Sequence, residues 1–348
     1  MSAGTAAPAT AAESLRAGLE AFIAAEAGHP AAIRALWRLP GGTMREAWAL
    51  DVEIAGGAWA GAHRLILMAD LGARILYSRL PREDELRVIA AMHAAGVPSP
   101  RPYWCIPEGR PHGLPPGLLM ERVQGETVAR RLLADPAYAA VRPRLLRQMA
   151  EALARMHAVP AEALDGLPGT AAGQAPMEFQ LQEIEAVLRA LGEPHPALEL
   201  GVRWLGRRIP PREWLAPVHG DYRLGNVAVD PAEGLRAVLD WELTHLGDPG
   251  EDVGWACMRF WRSIDRPGAP ALGSREHFLA AYAAAGGRRF DPEAAHYWDV
   301  FANVRWAVIT LAQAFRHLSG REQSLELASI GRHCAEVEYE LMRLLREG

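Results

Sequence analysis

Val218-His219-Gly220-Asp221-Tyr222-Arg223-Leu224-Gly225-Asn226, followed by Val238-Leu239-Asp240-Trp241-Glu242, is the stretch on which the reading of this 348-residue chain turns. Between the two segments, Val227 to Asp230 and Leu235 to Leu239 flank Pro231-Ala232-Glu233-Gly234, a turn sequence. The two runs are expected to pair as an antiparallel hairpin, which sets Asn226 and Asp240 nearly opposite, with Cβ atoms about 5 Å apart. Two oxygen donors at that spacing can share one cation, and Mg2+ favours carboxylate or amide oxygens together with phosphate oxygens and water. Asp221, Asn226 and Asp240 therefore read as a site for a metal-bound nucleotide. Gly-Asp alone is a common turn pair and either aspartate could cap a helix; the ordered succession of loop, hairpin and second carboxylate is what carries the reading.

The spacing has a chemical meaning. In a kinase catalytic loop an Asp accepts the proton of the substrate hydroxyl, and an Asn further along the loop holds Mg2+. Asp221 and Asn226 have that D-x-x-x-x-N spacing, with His219 in the leading position, and Asp240 is placed as the second metal ligand.

Outward from this segment the chain changes character. On its N-terminal side Ser14 to Ala27 has helical spacing. Leu36–Leu39, Ala47–Ile54 and His63–Leu67 read as strands separated by Gly-rich turns, and Tyr103–Ile106 and Leu118–Val123 as two more. One helix interrupts them, Pro81 to Ala95, stopped by Gly96 and the prolines beyond it. On the C-terminal side helices dominate, ending with Pro292–Leu318 and one last helix over Leu325–Arg346. The expected fold is α+β: a tail and helix over 1–29, a small antiparallel β-sheet lobe with one helix over 30–123, and a larger, mainly helical lobe over 124–348.

Composition excludes several classes. Half the residues are hydrophobic and 23% charged, ordinary for a globular protein. A formal charge of -5 argues against nucleic acid as a partner. No apolar run approaches the length of a membrane span. The three cysteines, Cys105, Cys257 and Cys334, have no metal-like spacing and read as buried reduced thiols of a cytoplasmic protein. The chain contains no lysine; every basic side chain is arginine or histidine.

The runs HGDYRLGN and VLDWELTHLGDPGEDVGW resemble the aminoglycoside phosphotransferase and choline kinase superfamily, and within it look closest to the branch related to kinase domains fused to certain acyl-CoA dehydrogenases. The resemblance is dense over Val218 to Trp255 and looser over the first lobe. It implies a protein-kinase-like bilobal fold and transfer of phosphate from ATP, with Mg2+, to a hydroxyl of a small molecule. On these residues it implies Asp221 as the base, His219 as a brace of its loop, and Asn226 and Asp240 as metal ligands. Asp248 and Asp252 would seat the following helix. Gly41, Gly42 and Thr43 match the turn over the ATP phosphates, and the segment around Met120, Glu121 and Val123 matches the hinge that meets adenine. Glu85 matches the helix glutamate that pairs with a basic residue on the third strand.

At that basic residue the sequence departs from the pattern, because position 68 is methionine. Arg74 is the preferred substitute and Arg64 the other. Should neither reach, the alternative is a nucleotide-binding pseudokinase. A third reading, a metal-dependent hydrolase, would use His219, Asp221, Asp240 and His245. Trp255, Trp261, Trp298 and Trp306 read first as aromatic core packing and otherwise as the lining of an acceptor pocket, while Arg305 and Arg316, eleven apart, either meet a substrate carboxylate or phosphate or form salt bridges. The branch resemblance leans toward a hydroxy acid or its CoA thioester as acceptor; the choice between ATP and GTP stays open.

Overall fold

The computed structural model describes residues 9–39, 45–70, 80–109, 111–169, 174–211, 214–261, 264, 271–320 and 322–347. The chain divides into two compact units: Met1–Ile75, Leu80–Ala94 and Pro98–Gln124 form one, and Leu76–Arg79, Ala95–Val97 and Gly125–Gly348 the other.

The first unit opens with helix α1 (Ala9–Ala27), then strands β1 (Ala31–Arg38), β2 (Arg45–Ile54) and β3 (Gly61–Asp70), helix α2 (Arg82–Ala94), β4 (Pro102–Ile106) and β5 (Gly117–Glu121). The strands make one antiparallel sheet in the order β1-β2-β3-β5-β4. Strand alternation assigns its faces. Trp48, Leu50, Val52 and Ile54 of β2 and Leu65, Leu67 and Ala69 of β3 form one buried layer with Leu19, Phe22 and Ile23 of α1. The opening helix is thus part of this core. Arg45, Ala47, Met68 and Asp70 share the opposite face, because Arg45 pairs with Asp70 and Ala47 with Met68.

The second unit contains α3 (Ala129–Ala134), α4 (Arg142–His157), α5 (Pro176–Leu191), α6 (Pro196–Gly206), β6 (Ala216–Val218), β7 (Val227–Asp230), β8 (Gly234–Val238), β9 (His245–Gly247), α7 (Gly250–Cys257), α8 (Arg275–Ala284), α9 (Pro292–Leu318), α10 (Leu325–Gly331) and α11 (Cys334–Glu347). Helix α9 is its axis; α5, α6, α7, α10 and α11 all pack on it. Its first turn is capped by Asp291, whose carboxylate accepts from the Ala294 amide at 2.8 Å. The last expected helix is two, α10 and α11. Gly331 lies so close to α9 that a Cβ there would sit 2.5 Å from that of Ala314, and the chain breaks just beyond it. The short pair β6–β9 also went unseen in the sequence, three residues each being too few for a pattern. Cys257 and Cys334 are buried and Cys105 only half-buried; none of the three is in a disulfide. No described helix is long and apolar enough to cross a membrane.

Candidate active site

Strand β6 delivers the chain into the loop that holds Asp221. Gly220 has φ +82°, and a Cβ on it would come 2.7 Å from the Leu243 carbonyl, so the bend demands glycine. His219 is fully buried and both its ring nitrogens are used. Its Nδ1 accepts from the Asp221 amide at 3.2 Å, so the proton is on Nε2, which donates to the Leu239 carbonyl at 2.9 Å. Burial pushes this imidazole below its ordinary pKa, against the charges of Asp252 and Asp221, and it is neutral. With both nitrogens occupied the ring cannot ligate a metal, which removes the main support of the hydrolase reading.

Asp252 of α7 grips the same loop. Its carboxylate accepts from the amides of His219 at 2.6 Å and Gly220 at 3.0 Å, and lies 3.2 Å from His157 Nε2. Burial alone would raise its pKa. The hydrogen bond and charge of His157 and the His219 amide outweigh it, and the carboxyl is held below its usual range. Asp252 therefore clamps the loop, while Asp248 serves α7, its Oδ1 accepting from the Gly250 amide at 2.8 Å and its carboxylate pairing with Arg288.

Three donors fix the Asp221 carboxylate. Oδ1 accepts from Trp255 Nε1 at 2.7 Å and from Arg223 Nε at 2.9 Å; Oδ2 accepts from Asn226 Nδ2 at 2.6 Å. A carboxylate oxygen accepts two hydrogen bonds, so Oδ2 retains capacity for a hydroxyl. Arg223 had not been singled out from the sequence, although its place two residues after Asp221 was the available signal. Its guanidinium is stacked 4.8 Å over Trp261, and a Cβ on Gly225 would collide with its Nη1 at 2.2 Å.

Asn226 directs its amide nitrogen at Asp221, which turns its carbonyl oxygen away as the atom able to meet a cation. The hairpin forms as expected but one step out of register. Val227 faces Val238, the Leu239 amide donates to the Asn226 carbonyl at 2.8 Å, and Asp240 comes one residue later. Asp240 has φ +65°, one of two described non-glycine residues in the left-handed region. Such a conformation is held against local preference by its surroundings and is concentrated at functional sites.

Beside Asp221 lies an aromatic cluster. Trp255, Trp261 and Trp306 have ring centroids 4.8–6.0 Å apart, and Phe260 packs on Trp261 and Trp306. Arg305 of α9, only 5% exposed, is held 5.4 Å over the Trp255 ring. Its Nε and Nη1, and the indole N–H groups of Trp261 and Trp306, are buried without a hydrogen-bond partner among the described residues. Arg316 does not join them. Eleven residues are roughly 16 Å along a helix, and Arg316 bonds Gln313 and Glu322. Trp298 also stands apart, packed over Gly250 in the helical core.

In the first unit, Glu85 is buried at 1% exposure and is paired with two described arginines, neither of them on the third strand. Arg45 of β2 grips it with Nη1 on Oε1 at 3.0 Å and Nη2 on Oε2 at 2.8 Å, and Arg82 bonds the same carboxylate. β3 offers it no cation: position 68 is methionine, and Arg64 is exposed farther along that face. Arg74, and likewise Gly41, Gly42 and Thr43, lie outside the described residues. Met120 and Glu121 end β5. The amides of Glu121 and Arg122 donate to the carbonyls of Arg101 and Arg64, at 2.8 and 2.9 Å, so neither is available to a base. Val123 follows.

The profile of the phosphotransferase enzyme family matches residues 57–298. Acyl-CoA dehydrogenase family member 10 of Mus musculus is 30% identical over 205 residues, 57% of this chain and 18% of that protein. The probable acyl-CoA dehydrogenase IBR3 of Arabidopsis thaliana is 24% identical over 80% of this chain and 36% of its own length. Viomycin phosphotransferase of Streptomyces vinaceus is 30% identical over 56% of this chain and 66% of its own. The chain thus spans about a fifth to a third of the dehydrogenase relatives. Among solved structures, a Ralstonia eutropha protein provisionally named an aminoglycoside phosphotransferase superposes with a TM-score of 0.75 at 23% identity, covering 95% of this chain and 98% of that one. The aminoglycoside phosphotransferase APH(4)-Ia, in a ternary complex with ADP and hygromycin B, gives 0.63 at 17%, covering 95% and 99%. The α+β fold is therefore that of the aminoglycoside phosphotransferases, and the chain belongs to the phosphotransferase enzyme family.

Proposed function

We propose that this protein transfers the γ-phosphoryl group of ATP to a hydroxyl of a small metabolite, with Asp221 as general base. The observation that carries this reading is the three-donor support of the Asp221 carboxylate, which leaves Oδ2 able to take the hydroxyl proton. As that proton moves to Oδ2, the acceptor oxygen bonds to the γ-phosphorus and the bond to the ADP oxygen breaks. Arg223, fixed on the opposite carboxylate oxygen, supplies positive charge beside the transferring group. His219 and Asp252 touch no substrate and position the loop.

Mg2+ fits the donors present. The Asn226 carbonyl oxygen and the Asp240 carboxylate are the hard oxygens it prefers, and when bound it would neutralise phosphate charge. Gly41, Gly42 and Thr43 remain assigned to the nucleotide, as does the segment from Met120 to Val123, where Val123 carries the amide that neither internal bond engages. Complexes of related folds with ADP support nucleotide binding.

The acceptor we infer is a hydroxy acid or its CoA thioester. Arg305, buried with unmet donors among indole rings one hydrogen bond from the base, suits an anionic group on an otherwise apolar molecule. A cationic antibiotic is disfavoured by the same charge. Arg316 is withdrawn from the acceptor set because it is engaged elsewhere. The test is ADP release in a coupled assay over hydroxylated acids, acyl-CoAs, amino alcohols and aminoglycosides. Asp221→Asn is expected to lower turnover about 10²–10⁴-fold with nucleotide affinity nearly unchanged. Loss of nucleotide binding instead would assign Asp221 to the metal or to the fold.

A further inference from the structure

Kinase-type phosphoryl transfer requires a cation from the sheet paired to a helix glutamate and reaching the nucleotide phosphates, ordinarily from the third strand. Here the third strand offers Met68. The sheet register shows how the need can be met from its neighbour. Ala47 of β2 faces Met68, and Arg45 faces Asp70 one pair further along, so positions 45 and 68 lie diagonally on the same face. Diagonal neighbours in an antiparallel pair are about 7–8 Å apart, within reach of an arginine side chain. Ala47, opposite Met68, is small.

The pairing is strong in form. Arg45, 5% exposed, meets Glu85 in a two-toothed fork at 3.0 and 2.8 Å, and its Nε lies 3.6 Å from Asp70 Oδ1. Arg82 bridges the same two carboxylates, with its Nε 2.6 Å from Asp70 Oδ2. Among the described residues the cluster joins Arg45 and Arg82 to Asp70 and Glu85. A buried ion cluster costs several kcal/mol per ion in lost hydration, and apolar side chains of similar volume would hold a sheet to a helix at least as well. Such a cluster is therefore poorly explained by stability alone. Position 45 also directly follows residues 40–44, which carry Gly41, Gly42 and Thr43.

We propose that Arg45 of β2 is the phosphate-binding cation of this protein, held for the nucleotide's α- and β-phosphates by Glu85, so that nucleotide use needs no basic residue at position 68. The proposal rests on the phosphotransferase reading and removes the motive for a pseudokinase. It replaces Arg74 in that role.

The experiment is calorimetric titration of the full chain with adenosine and with Mg·ADP, for the wild type, Arg45→Ala and Arg45→Ala/Met68→Arg. Losing a charge-assisted contact to phosphate is expected to weaken ADP about 10- to 100-fold in Arg45→Ala and to leave adenosine unchanged. Met68→Arg, which returns the cation to the third strand, is expected to restore most of the ADP affinity. Equal ADP binding by wild type and Arg45→Ala overturns the assignment, as does equal loss of adenosine and ADP. If Arg45→Ala does not fold, Arg45→Lys keeps a charge without the fork: weaker ADP with unchanged adenosine supports the proposal, and unchanged ADP overturns it. A wild type that binds neither ligand removes the phosphotransferase reading itself, whereas tight wild-type ADP binding beside an indifferent Arg45→Ala removes only Arg45.

Discussion

Trp255 Nε1 donates to Oδ1 of Asp221 over 2.7 Å from an indole that is 2% exposed. A buried ring with one donor and no freedom to rotate is a stiff support for a catalytic carboxylate. Trp255→Phe keeps the packing and deletes the donor. Hydrogen bonds to charged groups are worth about 1.5–3 kcal/mol, so turnover is expected to fall at least tenfold while the KM for nucleotide stays put. Steady-state kinetics with both substrates varied checks this; an unchanged kcat would mean that the bond does not matter to the reaction.

Gly225→Ala tests Arg223 without touching it. The new methyl would meet Arg223 Nη1 at 2.2 Å, and a flexible side-chain end yields before backbone does. The guanidinium should leave Asp221, with the fold kept and activity reduced several-fold. A native circular dichroism spectrum with full activity would show that Arg223 is dispensable.

Arg305→Met separates function from stability. A buried guanidinium with unmet donors burdens the fold, so the variant's thermal midpoint should equal or exceed that of the wild type. Its KM for an acidic acceptor should rise about 10- to 100-fold, as for the loss of a charge-assisted bond. A lowered midpoint with an unaltered KM would make Arg305 a structural residue.

The stability of the second unit should depend on His245. Burial and the nearby charge of Arg305 push this imidazole down, but the charge and hydrogen bond of Glu251, 3.1 Å away, prevail and raise its pKa above 6.5. A histidine raised in the fold contributes fully below its unfolded value of about 6.5 and loses that contribution as pH climbs through its folded value. The stability gap between wild type and His245→Gln should therefore be widest below pH 6.5 and narrow above it. Denaturant titrations from pH 6 to 9 read this directly; a constant gap would exclude the ion pair.

Much of this was legible in the residues because the decisive elements are local. Asp221, Asn226 and Asp240 sit within twenty residues, and their hairpin is fixed by a turn that can be read, so only the one-step register offset around Val227 and Val238 escaped. Long-range relationships were less accessible. The Arg45–Glu85 pair spans forty residues and depends on which strand face turns toward α2, which periodicity alone does not settle. Asp252 was expected to seat its own helix, yet it reaches back 33 and 32 positions to the amides of His219 and Gly220, since a carboxylate's partners are set by packing and leave no local pattern. The break between α10 and α11 arises from close contact of Gly331 with Ala314, again invisible in a helical repeat.

Asp252 and Trp255 are one helical turn apart on α7, an eight-residue helix buried along its whole length. One holds the peptide groups that precede the base and the other holds its carboxylate. The placement of Asp221 is thus tied at two points to a single rigid turn, with Arg223 and Asn226 completing its support. On the proposed phosphotransfer reading, new acceptors could be explored by changing the aromatic residues around Trp255 while the Asp221 carboxylate stays where it was.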